Sequence, residues 1–333
     1  MGKIARLGLA AGLLIFLVFA VMAGDYALFL SRPVAPQAPL TLDIPPGTSL
    51  TGIATRLSEE GVLTRPGYFR LLARLQGKAG QIQAGEYRFS DPAEPGKVLE
   101  RLVRGDVRRY PFTVPEGFTT EEIASKLEKE GLGRAASFLA LAHDPGTAAA
   151  LGVEAASLEG YLFPETYVLS RDVKERALLT MMVGEFERRV DDSLRRAAQR
   201  RDLDLHQLVT LASIIQKEAG NEEEMPLISA VFHNRLRRGM RLQADPTVIY
   251  GIKDFAGNLT RRHLREKTPY NTYRISGLPP GPIANPGMAA LQAAAHPTDS
   301  AALYFVSRGD GTHVFSNTLQ EHNRAVRRFQ LNR

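Results

Sequence analysis

The chain has 333 residues, of which 44% are hydrophobic and 23% are charged. This composition excludes a disordered tail, and the length is sufficient for roughly two or three domains. The formal net charge of +6 favours an acidic partner such as a membrane surface, an anionic polymer or nucleic acid. No cysteine is present, which excludes disulfides, thiolate metal sites and a lipidated cysteine.

An uninterrupted apolar run extends from Leu7 to Gly24 and follows Lys3 and Arg6. A helix of this length can span a bilayer, by tilting or by extending through Leu30, and cations before it favour a cytoplasmic N-terminus. We therefore predict a cytoplasmic stretch at 1–6 and a single-pass anchor at 7–30 in the cell inner (cytoplasmic) membrane. The remainder would be periplasmic or otherwise extracytoplasmic.

A cleaved signal peptide is the alternative to the anchor. Val21, Met22 and Ala23 have the small-x-small pattern of a cleavage site. Both alternatives place the rest of the chain outside the cytoplasm. Residues 31–40 then carry three prolines, which predicts an extended linker.

A pattern of about 18 residues occurs twice and predicts a duplicated module. Ile44-Pro-Pro-Gly-Thr to Gly61 returns as Val114-Pro-Glu-Gly-Phe to Gly131, 70 positions further on. Each copy predicts a strand, a turn and a helix with a Ser or Thr cap and a C-terminal Gly. Small β-α-α-β modules of this kind resemble LysM domains, which bind N-acetylated glycans; a spacer or docking role is the alternative. We place the first module at 41–110 and the second at 113–145, at the start of a larger domain at 111–333.

A charged helical stretch at 170–201 presents several arginines, which we interpret as a solvated helix face. No motif for reading bases accompanies it, so no nucleic-acid partner is predicted. No His-Glu-x-x-His pattern or P-loop occurs, so we predict no metal and no cofactor.

The helix predicted around Leu208–Glu218 carries the main candidates for chemistry. Its apolar side chains form one stripe, and Gln216 and Glu218 flank that stripe on opposite edges. A carboxyl group partly packed against apolar side chains has a raised pKa and can act as a general acid. The residues alone therefore favour Glu218 as an acid; an exposed Glu beside Lys217 is the alternative.

Six segments, in this order along the chain, resemble the endolytic murein transglycosylase (YceG-like, MltG) family. They are Leu158–Tyr167, Leu211–Gly251, Pro269–Tyr273, Gly277–Gly287, Ala293–Pro297 and Tyr304–Phe315. With the anchor and the LysM-like region, the resemblance covers nearly the whole chain. It implies an α+β protein: one transmembrane helix, LysM-like β-α modules and a mixed α+β catalytic domain.

The resemblance further implies a lyase that cuts nascent peptidoglycan glycan strands between N-acetylmuramic acid and N-acetylglucosamine, leaving 1,6-anhydro ends. Such an enzyme acts as a terminase of strand elongation, beside peptidoglycan synthases. The family typically reads Ala-Ser-Ile-(Val or Ile)-Glu-Lys-Glu with the first Glu as the acid, and that position is Gln216 here. An amide cannot donate the proton, so the resemblance implies an inactive or impaired chain, whether the Gln is engineered or natural.

Glu218 is then the fallback acid, although residues two apart on a helix face different sides. The alternative function is a membrane-anchored, non-catalytic peptidoglycan-binding scaffold. Nine polar residues in the family-like segments are candidates for holding the glycan strand, with capping, turn or core roles as their alternatives. They are Ser213, Glu159, Glu165, Gln243, Asp245, Tyr270, Asn271, Tyr273 and His313.

Overall fold

The computed structural model describes residues 3–171, 173–253, 255 and 257–331. Two compact units share the chain: unit 1 comprises residues 1–110 with 168–172, and unit 2 comprises 111–167 with 173–333. Met1 and Gly2 of the expected cytoplasmic stretch lie outside the described residues, as do positions 172, 254, 256, 332 and 333 of the expected C-terminal domain.

Unit 1 contains a small α/β module behind a long N-terminal helix. Its elements are α1 (Lys3–Ser31), β1 (Leu40–Ile44), α2 (Leu50–Glu59), α3 (Pro66–Leu75), β2 (Gly85–Phe89) and α4 (Pro95–Arg104). β1 and β2 pair antiparallel with Leu42 opposite Tyr87. Since alternate strand residues face the same side, Leu42, Tyr87 and Phe89 turn inward onto the three short helices, where they are almost fully buried.

Helix α1 begins as an exposed apolar rod and ends as part of the unit 1 core. From Gly8 to Ser31 it has the length and composition of a membrane span, with a mean hydropathy of 2.4. Its last two turns differ, because Phe29 is only 5% exposed and packs in the core of unit 1. Asp25 pairs with Arg65 at 2.8 Å and accepts a hydrogen bond from the Tyr68 hydroxyl at 2.9 Å. The fully exposed apolar part of α1 therefore ends near Gly24, and the predicted anchor at 7–30 stays a prediction.

The proline-rich segment 31–40 is held on unit 1 rather than free. Val34 forms an isolated antiparallel bridge with Ala93, with both N···O distances at 3.0 Å. This bridge gives the segment one strand-like contact near its middle, and its role as a linker stays a prediction.

Unit 2 is mainly helical and contains several short elements. The elements after α4 are β3 (Tyr110–Thr113), α5 (Thr120–Lys129), α6 (Ala135–Ala142), α7 (Pro145–Ala150), β4 (Thr166–Leu169), α8 (Glu175–Arg189), α9 (Asp192–Gln199), α10 (Leu205–Glu218), α11 (Met225–Arg237), α12 (Asp245–Tyr250), α13 (Met288–Ala295), β5 (Tyr304–Ser307), β6 (His313–Ser316) and α14 (Leu319–Val326). Tyr110 of β3 and Val168 and Leu169 of β4 belong to unit 1. β3 pairs with β4, and β5 forms an antiparallel hairpin with β6. Helix α10 packs against α11, α12 and α13. These elements confirm the mixed α+β class.

The duplicated sequence pattern folds into equivalent elements. Ser49 caps α2 and Thr119 caps α5, and Gly61 and Gly131 both take positive φ just after the helix ends. The returning strand of the second copy is β4, which lies beyond the expected bounds of 113–145. The LysM resemblance of these modules stays a prediction.

The expected single helix over 170–201 is wrong in one respect, because it breaks into α8 and α9. Asp191 causes the restart, since its side chain accepts a hydrogen bond from the Leu194 amide and caps α9.

Equivalent leucines of the two modules provide a test of the two cores. Leu57 in α2 and Leu127 in α5 are both fully buried. We expect Leu57→Ala and Leu127→Ala each to lower the free energy of unfolding by about 2–5 kcal/mol, since each leaves a cavity. Urea unfolding in mild detergent measures this. Leu319→Ala, at a 54% exposed position, should change it by less than about 0.5 kcal/mol. Equal effects at all three positions would contradict the assignment of the cores.

Candidate active site

Helix α10 runs through the core of unit 2 and ends at Glu218, which lies in the wall of a cleft. The helix starts with a capping box in which Asp204 and Gln207 satisfy each other's backbone amides. Every residue from Leu208 to Ile215 is buried, so the sides of the helix are fixed by packing. Ala219 turns to extended backbone, and α10 therefore ends at Glu218.

The cleft has a volume of about 450 Å³. Glu218 lines it together with Gln243, Asp245, Tyr273 and His313, which come from three later segments of the chain. Arg235, Tyr304 and His322 also line it, and none of the three is among the residues predicted to hold the glycan strand. Four of the nine proposed strand-holding residues thus lie around one carboxyl group.

The carboxyl group of Glu218 has a pKa well above its ordinary value. Burial, together with the negative charge of Asp245, raises this pKa from 4.5 to about 8. The positive charge of Arg235 and the Asp245 backbone amide oppose this shift. A carboxylic acid that is protonated at pH 7 and lines a cleft can donate a proton to a bound group.

Asp245 and Tyr273 form the polar wall opposite α10. The Tyr273 hydroxyl donates a hydrogen bond to Asp245 Oδ1 at 2.6 Å. Gln243 has a positive φ of 53°, and its backbone amide donates a hydrogen bond to the Thr272 carbonyl at 3.2 Å. A residue before proline is usually extended or in a turn, which predicts a non-helical position for Asp245. This prediction is wrong, because Asp245 is the first residue of α12, where the missing amide hydrogen of Pro246 has no intrahelical partner.

Arg235 brings a buried positive charge into the same wall. Its side chain donates to the carbonyl oxygens of Leu303 at 2.7 Å and Leu242 at 2.5 Å. The guanidinium carbon lies 5.2 Å from the centre of the Tyr304 ring. Burial lowers its pKa, although a guanidinium stays charged in any case. Arg235 lies one helical turn after the apolar Val231 and Phe232 of α11, and this spacing is the sequence signal that could have identified it as buried.

Gln216 has a different environment from Glu218. Its Oε1 accepts a hydrogen bond from the Gly287 amide at 2.9 Å, and its side chain also hydrogen-bonds the carboxyl group of Glu116. Burial raises the pKa of Glu116, and the charge of Glu222 adds to this. Gln216 does not line the cleft that holds Glu218. Its side chain instead joins α10 to the loop at 277–287.

Ser213 and Glu159 also hold that loop. Ser213 lies three residues before Gln216, a helical spacing that predicts a role in orienting the side chain at 216. Its hydroxyl instead accepts from the Ile283 amide at 3.0 Å and donates to the Thr210 carbonyl. Glu159 is 3% exposed and accepts from the Asn285 side-chain amide at 3.1 Å.

The Glu159 carboxyl group has further donors. It accepts from the Thr120 amide at 3.1 Å and from the Tyr250 hydroxyl at 3.3 Å. Burial nevertheless raises its pKa to about 8, against the effect of these hydrogen bonds. Tyr270 lies near it, with its ring centre 4.9 Å from that of Tyr250, and both Glu159 and Tyr270 line a separate cavity of about 90 Å³. These two residues therefore lie outside the cleft of Glu218.

The three remaining candidates for holding the glycan strand have different surroundings. Glu165 is exposed and pairs with Arg189 at 3.2 Å, away from the cleft. Asn271 is fully buried, and its amide nitrogen donates to the carbonyls of His263 and Glu266, so it fixes a turn. His313 lines the cleft, with Nδ1 2.7 Å from Glu224 Oε2.

Among the described residues, no group of three or more His, Asp or Glu side chains is arranged to hold a metal ion.

Comparison with known proteins gives relatives over most of the chain. Residues 42–328 match the model of the YceG-like family. An endolytic murein transglycosylase of Bacillus subtilis is 31% identical over 322 residues, which cover 91% of this chain and 89% of the relative. One from Streptococcus pneumoniae is 29% identical over 86% of this chain, and the match spans 58% of that longer protein.

A solved structure supports the same relationship. The crystal structure of a yceG-like protein from Listeria monocytogenes has a TM-score of 0.60 and 31% identity, covering 86% of this chain and 99% of that one. These matches confirm the resemblance found in the motifs. The chain belongs to the YceG-like family.

Proposed function

We propose that the chain is an endolytic peptidoglycan lytic transglycosylase whose acid is Glu218. The observation that carries this is a carboxylic acid with a pKa of about 8 on the wall of a cleft of about 450 Å³. The Bacillus and Streptococcus relatives are endolytic murein transglycosylases, and the proposed substrate class, murein, comes from them. Asp245, Tyr273 and His313 supply hydrogen-bonding groups along the same cleft, as sugar recognition requires.

The chemistry follows from a single acid. Glu218 donates its proton to the oxygen between N-acetylmuramic acid and N-acetylglucosamine, and the bond from C1 to that oxygen breaks. The 6-hydroxyl of the same muramic acid then bonds to C1, and its proton passes to the Glu218 carboxylate. The enzyme returns to its starting state, the new end is a 1,6-anhydro sugar, and no water is consumed. The nucleophile belongs to the substrate, so proximity replaces a second catalytic carboxylate.

Asp245 has two effects in this scheme. Its negative charge helps to keep Glu218 protonated before the reaction. The same charge favours positive charge developing at C1 as the glycosidic bond breaks. The hydrogen bond from Tyr273 holds the Asp245 carboxylate in place for both.

Gln216 does not remove the acid in this proposal. Its side chain accepts from Gly287 and hydrogen-bonds Glu116, and an amide provides both an acceptor and a donor for these two partners. We therefore propose an active enzyme, in place of the inactive chain that the motif comparison alone implies.

The site of action follows from α1. We propose that Gly8 to about Gly24 spans the cytoplasmic membrane and that both units lie on its outer side, where nascent glycan strands are made. The length and hydropathy of the helix support this, together with Lys3 and Arg6 before it in the sequence. A terminase role beside peptidoglycan synthases is part of the same proposal.

Substitution at the two α10 positions tests the assignment of the acid. We expect Glu218→Gln to lower the formation of 1,6-anhydro ends at least about 100-fold, because the amide cannot donate a proton. Gln216→Glu should leave the rate within a few-fold of the parent chain, and so should Glu223→Gln, a surface control. The measurement is mass spectrometry of purified glycan strands after incubation.

Two results would contradict this. Activity that appears only in Gln216→Glu would return the acid to position 216. Strands left intact by every form, but bound by the protein, would favour the non-catalytic scaffold.

The pH dependence gives an independent test. Glu218 must be protonated to act, so kcat/KM should fall about tenfold per pH unit above about pH 8. Asp245→Asn removes a charge that raises the Glu218 pKa, so the fall should begin at lower pH, with a reduced rate at the optimum. Asp192→Asn, at an exposed position of α9, should leave the profile unchanged. An unshifted profile in Asp245→Asn would show that another group titrates.

A further inference from the structure

Helix α3 exposes two large apolar side chains on the surface of unit 1. Leu71 is 43% exposed and Leu75 is 70% exposed, while Phe69 and Leu72 are buried in the core. In the described part of unit 1 outside α1, Val168 has the only other exposed large apolar side chain. Two leucines one helical turn apart therefore form a small, isolated apolar strip.

One end of this strip lies next to the residues of α1 that follow its apolar run. At 100° per residue, Tyr68, Leu71 and Leu75 lie on one side of α3. Tyr68 contacts α1 directly: its hydroxyl bonds Asp25, and its ring centre is 5.4 Å from that of Tyr26. Asp25 follows Gly24, where the fully exposed apolar part of α1 ends. Since Leu75 is seven residues from Tyr68, it lies about 10 Å further along α3.

The charges on α3 are all positive. The sequence from Pro66 to Leu75 contains Arg70 and Arg74 and no acidic residue, and Arg65 precedes it. Arg65 is bound to Asp25, whereas Arg74 is exposed beside Leu71 and Leu75. Exposed leucines interleaved with arginines are the chemistry of helices that lie in the headgroup region of an anionic bilayer.

We propose that α3 is an interfacial helix that rests on the outer leaflet of the membrane spanned by α1. Leu71 and Leu75 enter the boundary between headgroups and acyl chains, and Arg70 and Arg74 contact lipid phosphates. This rests on the proposed membrane span, because the contacts of Asp25 with Arg65 and Tyr68 bring α3 to the end of that span. Unit 1 is then attached to the bilayer at two points rather than one.

Single-cysteine labelling of the full chain tests the proposal, since the protein has no cysteine of its own. Leu13→Cys, Leu75→Cys and Asp91→Cys are labelled with an environment-sensitive fluorophore and reconstituted into vesicles of phosphatidylcholine and phosphatidylglycerol. Quenching by a nitroxide lipid is measured. Position 13 reports the span itself, and Asp91 lies next to the Val34–Ala93 bridge, beyond the far end of α1. We expect quenching at positions 13 and 75, and none at 91.

A second probe at Gln76→Cys leaves both leucines in place. Adding Leu71→Ser and Leu75→Ser should abolish quenching at position 76, whereas Val168→Ser, the matched change of an exposed apolar side chain, should not. Quenching at 13 without quenching at 75 and 76 would overturn the interfacial helix and leave the span standing. No quenching at 13 would overturn the span and this inference with it. Quenching at 91 as well would overturn a contact confined to α3.

Discussion

Burial of helix α10 on all its sides is the constraint on which the site depends. Packing of α11, α12 and α13 around Leu208–Ile215 leaves the helix no freedom to rotate or slide. The direction of every side chain after Ile215 is therefore determined by the 100° step of the helix. Two polar residues at the end of such a helix necessarily serve different surroundings, and only Glu218 faces the cleft.

The loop at 277–287 is held by polar contacts rather than by regular structure. Asn285 supplies most of them, because its side-chain oxygen accepts from the amides of Gly160 and Leu162 while its amide donates to Glu159. Gly160 itself takes a φ of +87°, and a side chain there would meet Pro282 at 2.5 Å. Buried hydrogen bonds of this kind replace the sheet or helix that a Pro- and Gly-rich segment cannot form.

Much of the fold can be predicted from local patterns in the sequence. Alternation identifies β2, the Thr119 cap identifies α5, and the repeat identifies the pairing of modules, because each depends on neighbouring residues. The break at Asp191 is harder, since a capping side chain competes with a continuous charged helix. The contact of Val34 with Ala93 joins residues far apart in the chain, and no local pattern indicates it.

The site can be predicted in part, because some of its features also depend on neighbouring residues. Helical spacing separates Gln216 from Glu218, and the residues alone already favour Glu218. Motif comparison then outweighs this by assigning the chemistry to position 216. The two positions differ in their partners, and Gly287, Glu116 and Asp245 lie far away in sequence. The assignment of the acid to Glu218 on this ground is our proposal. Asn271 is a similar case, since only its buried contacts distinguish a turn residue from a sugar ligand.

The amide of Gln216 also separates framework from chemistry. Its oxygen holds the Gly287 amide, and neither group gains or loses a proton in the range where Glu218 does. A carboxyl group at the same position would exchange protons with its neighbour Glu116, and the joint between α10 and the loop would then respond to acidity. With an amide there, this joint holds one titratable side chain, Glu116, rather than two, and the proposed acid lies outside the joint, in the cleft.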